Sequence, residues 1–218
     1  MIANSDVFVF YDNVQFERRG WQNRNYIKDK NGEKKLLSIP VATKGNFHTP
    51  IHNIKIFYDK KTRSSVEGIL YQNYRDSPFF SQAFSILQNS LDRCPVFLSD
   101  LTIDLTIAYA AYLGVEHTRF IRASEIDIAM DQGPTGNLVA ICNYFKATHY
   151  INGPAGKAYM ETEKFMDADI QFVWHDYSHP VYTQGPRPFL SYLSIFDLIC
   201  NQGKDSLSIL YQSQIQYG

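Results

Sequence analysis

Val7-Phe-Val-Phe-Tyr-Asp-Asn-Val-Gln-Phe-Glu-Arg-Arg-Gly-Trp-Gln-Asn-Arg-Asn25 passes without a break from an apolar run into a dense group of polar side chains. The run from Val7 to Phe10 is β-branched and aromatic without alternation, which is typical of a strand buried on both faces of a parallel sheet. In open α/β sheets, ligands bind beyond the carboxyl ends of the strands. The stretch therefore predicts an α/β fold with a candidate binding site directly after this strand.

The polar side chains after the strand could all contact one ligand. They offer a carboxylate, several amides, three guanidinium groups and two aromatic rings, on Asp12, Asn13, Gln15, Phe16, Arg18, Arg19, Trp21, Asn23 and Arg24. Guanidinium groups bind phosphates and carboxylates through paired hydrogen bonds, and they stack on aromatic rings. We expect a small anionic ligand here. The alternative, which the residues leave open, is a solvated turn that leads into a hairpin.

The remaining pattern alternates helices and strands. Asn31-Gly32 predicts a two-residue hairpin turn between strands at 25–30 and 33–41. Apolar spacing and capping residues predict helices at 60–74, 77–91, 96–113, 138–146, 161–165, 187–200 and 207–211, with strands at 51–57, 118–122, 148–151 and 170–174. Together these elements predict an α/β fold whose mostly parallel, Rossmann-like sheet has flanking helices. We expect a single domain over 1–218, with the hairpin as an excursion at about 25–57.

Two later segments add candidate site residues. Asn152-Gly-Pro-Ala-Gly156 follows a predicted strand, where glycines let backbone amides approach a phosphate or a carboxylate. It is not a P-loop, because Ile151 and Ala158 stand where that motif needs Gly and Ser or Thr. Ligand contact and a plain connection both remain open for this segment. His175 follows the next strand beside Asp176, where a general base could sit, although a solvated loop would carry the same pair.

Asp197 lies in an otherwise apolar predicted helix, three residues after Ser194. A buried carboxylate must be paired, so we expect Asp197 to hold an arginine of the 18–24 cluster or to contact the ligand. The three segments would then form one composite cleft. In it we expect catalytic roles for Asp12, His175 and Asp197, and ligand contacts from Gln15, Arg18, Arg19, Trp21, Asn23, Arg24, Asn152, Gly153, Gly156 and Ser194.

Composition excludes several classes of protein. The net charge of −1 and the pI near 6.6 argue against a nucleic-acid partner, which needs a basic face. The three cysteines have no motif spacing, and we expect buried thiols in a reducing cytoplasm. No apolar run approaches the roughly 20 residues that span a bilayer. His48 and His52 have no evident third ligand and Pro50 between them disfavours a helix, so we expect no metal site.

A resemblance to a known family runs through nearly the whole sequence. It is carried by Asp12-x-Val-Gln-Phe-x-Arg-Arg-Gly-Trp-x-Asn-Arg-Asn25, Tyr74-Arg-Asp-Ser-Pro-Phe-Phe80, Tyr150-Ile-Asn-Gly-Pro-Ala-Gly156, Leu193-Ser-Ile-Phe-Asp-Leu198 and Asn201-Gln-Gly203. In these segments the sequence resembles the WbqC-like protein family, whose members occur in bacterial surface-polysaccharide (O-antigen) gene clusters. The family usually opens with a strand, a Gln-Pro to Gly-Tyr motif and a helix that leads into the Val7 strand. Residues 1–6 look like the end of that helix, so we expect the opening strand and its motif to be missing here.

The resemblance implies a cytoplasmic bacterial protein of O-antigen, and so of lipopolysaccharide, biosynthesis. We expect a transferase that acts on a nucleotide-linked sugar or on its amino-sugar derivative. The alternative is a ligand-binding or scaffold protein of the same pathway without turnover. No nucleophile elbow or other common catalytic constellation decides between them, and these residues identify no cofactor. A missing opening strand would expose an apolar edge of the Val7 strand, so we expect this chain to form homo-oligomers or to be less stable than a form extended upstream. The start of the family's fold also resembles the nucleotidylyltransferase-like Rossmann fold, which is an analogy of architecture.

Overall fold

The structure is a computed structural model that describes residues 1–42, 48–57 and 59–212. The strands are β1 (Val7–Phe10), β2 (Arg24–Lys28), β3 (Lys34–Ser38), β4 (Arg119–Arg122), β5 (His149–Asn152) and β6 (Gln171–Trp174). The helices are α1 (Lys60–Tyr74), α2 (Phe80–Asp92), α3 (Leu98–Tyr112), α4 (Gly133–Tyr144), α5 (Glu163–Met166), α6 (Ile195–Gln202) and α7 (Ser206–Gln212). Helices and strands alternate through the second half of the chain, and the α/β class is confirmed.

The parallel strands form two separate pairs. Strand β1 pairs with β4 and β5 pairs with β6, both in parallel. Among the described residues, no backbone pairing joins β1 to β5, so the prediction of one continuous Rossmann-like sheet is wrong. Strand β1 is half-buried along its length instead of buried on both faces. An apolar run shows that a strand has apolar neighbours, but it does not show whether those neighbours are strands of the same sheet.

The inserted hairpin is confirmed, with a longer loop than predicted. Strands β2 and β3 pair in antiparallel register, with Lys28 opposite Lys34. The Asp29 carboxylate accepts hydrogen bonds from the backbone N–H groups of Asn31 and Glu33, at 2.9 Å each. The Asp29 N–H donates to the Glu33 carbonyl at 2.9 Å, which leaves a three-residue loop at 30–32. Gly32 has a φ of 83°, the left-handed conformation that such a loop requires. A two-residue type I′ turn would need a positive φ at Asn31 as well, which is not found, so the predicted turn type is wrong.

Helix α1 begins and ends at the predicted residues. At its N-terminus the Asp59 carboxylate caps the helix by accepting a hydrogen bond from the Thr62 N–H at 2.6 Å. Helix α2 begins at Phe80 and not at Ser77, since the N–H of Phe79 donates instead to the Cys200 carbonyl at 2.9 Å. Helix α4 begins at Gly133, five residues early, because Pro134 fits a first helical turn.

Helix α6 begins at Ile195, eight residues after the predicted start. Pro186 and Pro188 lack the N–H groups that a helix there would need. The Ser194 hydroxyl instead accepts a hydrogen bond from the Phe196 N–H at 3.3 Å and caps the helix. The residues between β6 and α6 consequently cross the molecule without regular structure.

Two hydrophobic clusters stabilise these elements. The larger one joins helices α1, α2, α3 and α6 to one face of the hairpin, with Ile27, Leu70 and Leu98 almost fully buried. The smaller one lies between β5, β6, α4 and α5, where the Phe165 ring stacks on Tyr150 with centroids 4.7 Å apart. Two clusters permit one or two folding units, so the single domain over 1–218 stays a prediction.

Candidate functional site

A cavity of about 860 Å³ lies where the hairpin, helices α1, α2, α3, α6 and α7 and the ends of β5 and β6 meet. Its volume is within the range of about 300–1,000 Å³ that is common for small-molecule sites. A first group of lining residues, which we name the apolar wall, consists largely of aliphatic side chains that include Ile27, Leu70, Leu87, Leu105 and Leu113. The larger hydrophobic cluster supplies most of these side chains.

A second group of lining residues, which we name the polar wall, carries polar or aromatic side chains and comes from three segments far apart in the sequence. It consists of Trp21, Gln22, Asn23, Arg24, His175, Tyr177 and Ser194, with Gly153 beside them. None of the described residues that line the cavity is an Asp or a Glu. Arg24 therefore leaves the cavity electropositive, which favours an anionic group.

Arg24 is held in place by the loop that precedes β2. Its Nε donates to the Gly20 carbonyl at 2.8 Å, and its Nη2 donates to the Arg19 carbonyl. The guanidinium carbon lies 5.8 Å from the centre of the Trp21 ring, so the two groups stack. The Trp21 side chain remains 60% exposed, which leaves a ring surface available to a ligand.

Two amide oxygens in this loop are buried without a hydrogen-bond donor among the described residues. They are Oε1 of Gln22 and Oδ1 of Asn23. The Nδ2 of Asn23 donates to the Ile39 carbonyl at 2.8 Å, which orients the side chain. Buried acceptors without partners are rare in folded proteins. Because both oxygens are buried, a ligand can donate to them only after these side chains rotate towards the cavity.

His175 directly follows β6, and its backbone N–H donates to the Asn152 carbonyl at 2.7 Å. Its Nε2 lies 3.4 Å from the amino group of Met1, and its ring stacks on Tyr177 with centroids 6.0 Å apart. Burial, followed by the charge of the amino terminus, lowers the pKa of His175, and Asp176 opposes this effect. The imidazole is therefore neutral near pH 7, as a general base must be.

Several predicted site residues do not line this cavity. Both carboxylate oxygens of Asp12 accept hydrogen bonds from Ser124, one from its N–H at 2.9 Å and one from its hydroxyl at 2.8 Å. Asp12 thus connects the end of β1 to the turn after β4. The Gln15 amide oxygen contacts His48 Nδ1 at 3.1 Å. Arg18 and Arg19 are exposed outside the cavity.

The glycine loop after β5 contributes Gly153 to the cavity, while Asn152 and Gly156 pack against each other. A Cβ atom at Gly156 would lie 2.1 Å from Nδ2 of Asn152. The lack of a side chain at Gly156 is therefore explained by packing. Ligand contact by Asn152 and Gly156 stays a prediction.

Asp197 is 1% exposed and does not line the cavity. Its carboxylate accepts hydrogen bonds from the hydroxyls of Tyr74 at 2.9 Å and Tyr182 at 2.8 Å. The expected pairing with an arginine is wrong: the cation whose charge acts on Asp197 is Lys28, on the hairpin. Burial raises the pKa of Asp197, and the two tyrosine hydroxyls and Lys28 oppose that shift. These contacts indicate a structural role for this carboxylate.

Tyr177 and His179 were missed by the sequence analysis. The Tyr177 hydroxyl lies 3.2 Å from Nδ1 of His179. Nε2 of His179 is buried without a partner among the described residues, and its ring packs against Tyr182 and Tyr192. The alternation of aromatic residues and histidines from His175 to Tyr182 was the available signal. This alternation has no helix or strand periodicity, so it does not predict where the rings lie in the structure.

Neither a spanning helix nor a metal cluster is found in the part of the chain that the structure describes. No helix there has both the length and the apolar composition needed to cross a membrane. No group of three His, Cys, Asp or Glu side chains there could hold a metal ion. The three cysteines are free thiols; Cys142 and Cys200 are buried as expected, whereas Cys94 is exposed, so the prediction of a buried thiol is wrong there.

Comparison with known proteins places this architecture in a family. The chain is similar to the uncharacterized protein Rv1507c of Mycobacterium tuberculosis, with 28% identity over 214 residues that cover 94% of this chain and 88% of the relative. No solved structure matches the chain significantly. The model of the WbqC-like protein family matches residues 1–209. This chain therefore belongs to the WbqC-like protein family.

Proposed function

We propose that this protein is a transferase of bacterial surface-polysaccharide (O-antigen) biosynthesis that acts on a nucleotide-linked sugar or on its amino-sugar derivative. The observation that supports this most directly is the polar wall, where Arg24 and the exposed ring of Trp21 stand together in a cavity without a lining carboxylate among the described residues. A phosphate and a base or sugar ring are the groups that such a pair binds. The free thiols are consistent with action in the cytoplasm.

Each part of the polar wall has a role in this proposal. The Arg24 guanidinium, already fixed by two backbone carbonyls, donates its remaining N–H groups to a phosphate. Trp21 stacks on the base or sugar ring. The amides of Gln22 and Asn23, whose buried oxygens have no described donor, turn towards the ligand and accept hydrogen bonds from sugar hydroxyl or amino-sugar N–H groups. Neutral His175 accepts a proton from the group that is to be modified.

A ligand-binding or scaffold protein of the same pathway, without turnover, is the second candidate. The observation that favours it is the position of the acidic residues. Asp12 and Asp197 are both engaged in hydrogen bonds away from the cavity, so neither can assist His175. Product analysis with a bound nucleotide-sugar separates the two candidates, because only the transferase converts it in the presence of a donor.

Arg24→Gln tests the proposal. We expect a panel of nucleotide-sugars to raise the Tm of the unaltered protein, and Arg24→Gln to weaken binding by about 1.5–3 kcal/mol, the range for charge-assisted hydrogen bonds. Arg75→Gln is the matched control, because the Arg75 guanidinium also stacks on an aromatic ring, Tyr71, at 5.7 Å, but outside the cavity. Unchanged binding in Arg24→Gln, or equal loss in both variants, would contradict the role of the polar wall.

A further inference from the structure

The apolar wall is not explained by a nucleotide-sugar. Phosphates, sugar hydroxyls and base edges are polar, and burying them against leucine side chains without partners costs free energy. Such a ligand would occupy the polar wall and leave the side of the cavity around Leu70, Leu87 and Leu105 unfilled. Apolar side chains that line a cavity favour a ligand that covers them with apolar surface of its own, so the apolar wall indicates a ligand with an apolar part.

We infer that the ligand of this cavity carries a linear acyl chain, which lies against the apolar wall while its polar end faces Arg24. An acyl chain could reach the cavity as a free fatty acid or as an acyl group on a nucleotide-linked amino sugar. Only the second of these forms rests on the proposed function. Both share an apolar chain joined to a polar or anionic end. The lining of the cavity likewise consists of an apolar wall and a polar wall.

Three observations support an aliphatic chain with an anionic end. First, the apolar wall is built mainly from Leu, Ile and Val side chains of the hairpin and five helices. Such side chains offer contact without hydrogen-bonding groups, so apolar area is the source of affinity there. Second, Arg24 is the only Arg, Lys, Asp or Glu among the described lining residues. A cationic amphiphile would place its charge beside that guanidinium, which is unfavourable.

The third observation is the position of Arg24 itself. The residue begins strand β2, and Ile27 on the same strand belongs to the apolar wall. Asn25 and Ile27, which both line the cavity, are alternate residues of β2 and so share one face of the strand, about 7 Å apart at about 3.4 Å per residue; a ligand that extends along this face therefore passes from the polar start of the strand, where Arg24 lies, to an isoleucine. A carboxylate or an amide carbonyl joined to methylene groups fits this order.

A homologous series of fatty acids tests the inference on the full chain. Calorimetric titration with octanoate, decanoate and dodecanoate, kept below their micellar concentrations, should show affinity that rises about fourfold per methylene until the cavity is filled. Dodecylammonium, with the same chain and the opposite charge, should bind at least about tenfold more weakly than dodecanoate. Equal affinity along the series, or no charge preference, would overturn the inference.

Leu105→Trp fills the cavity from helix α3 and should lower dodecanoate affinity at least about tenfold while leaving or raising the Tm. The matched control is Ile107→Trp on the same helix, because Ile107 is 36% exposed and lies outside this cavity. Loss of binding in both variants, or in neither, contradicts an acyl site at Leu105. If Leu105→Trp does not fold, Thr106→Phe, at a neighbouring lining position, serves as a second obstruction.

A further arm separates the carrier from the chain. A nucleotide-linked amino sugar with a dodecanoyl amide should bind more tightly than its acetyl amide, and Leu105→Trp should abolish only the difference. Fatty acids that bind when neither nucleotide-sugar binds would leave the acyl site intact and remove the proposed function. Nucleotide-sugars that bind with no preference for the longer amide would do the reverse.

Discussion

At the scale of single residues, the polar groups divide into those that hold the fold and those that remain available. Asp12 and Asp197 were expected in the site, yet each has both carboxylate oxygens engaged by neighbouring side chains or backbone. The amides of Gln22 and Asn23 have buried oxygens without described partners and line the cavity. Availability of hydrogen-bonding groups therefore separates structural from candidate binding residues better than residue type does.

Tyr182→Phe should destabilise the protein by about 1.5–3 kcal/mol at pH 7, because it removes a hydrogen bond to a buried carboxylate. Burial already raises the pKa of Asp197, and losing this donor raises it further. A carboxyl group whose pKa is raised by folding destabilises the folded protein at pH values above its pKa in the unfolded chain, and it has no such effect at lower pH. The destabilisation should thus shrink near pH 4, where the carboxyl of the variant is protonated.

Urea unfolding at both pH values measures this difference. Tyr71→Phe is the control, since Tyr71 is half-exposed and its hydroxyl has no described hydrogen bond to Asp197. A pH-independent loss would mean that Tyr182 stabilises the fold by packing alone.

At the scale of elements, the hairpin connects most of the features that matter. One of its faces lies on the helices through Ile27, while Lys28 reaches across to the segment before α6, where its Nζ donates to the Pro188 carbonyl at 2.5 Å. The N–H of Ser194 also donates to the Tyr26 carbonyl at 2.8 Å. The hairpin therefore positions both Arg24 and the irregular segment that follows β6.

Gly32→Ala tests this coupling. The φ of 83° strains any side chain, and a Cβ would lie 2.3 Å from the Arg187 carbonyl oxygen. We expect a loss of more than about 1 kcal/mol by urea unfolding. Gly68→Ala, in helix α1 with nothing within 4 Å of its Cβ, should instead stabilise by about 0.5–1 kcal/mol. A neutral Gly32→Ala would show that the hairpin loop does not pack on Arg187.

At the scale of the whole molecule, the cavity joins the helical part of the chain to the ends of β5 and β6. The two hydrophobic clusters share no residue. The hydrogen bond from the Tyr211 hydroxyl to the Ala3 carbonyl, at 2.9 Å, connects helix α7 to residues 1–4, and both residues line the cavity.

If residues 1–218 form one domain, differential scanning calorimetry should give a single transition whose calorimetric and van't Hoff enthalpies agree. Substitution in either cluster, for example Leu70→Ala or Phe165→Ala, should then shift that one transition. Both side chains are almost fully buried, so each change should cost about 2–5 kcal/mol. Two transitions that respond separately to the two variants would contradict the single domain.

The sequence by itself determined the type of most elements, because apolar spacing, caps and turn residues are local properties of the chain. Asp59 predicted the cap of α1, and the apolar run from Val7 to Phe10 predicted a strand, β1. The predicted strand at 51–57 is wrong, since Ile51–Asn53 form a 3-10 helix. Only the tertiary structure decided which strands pair, that Asp197 meets two tyrosines instead of an arginine, and that Arg24, His175 and Ser194 line one cavity. The physical reason is sequence separation, since these residues lie up to about 170 positions apart and meet through packing that no local pattern encodes.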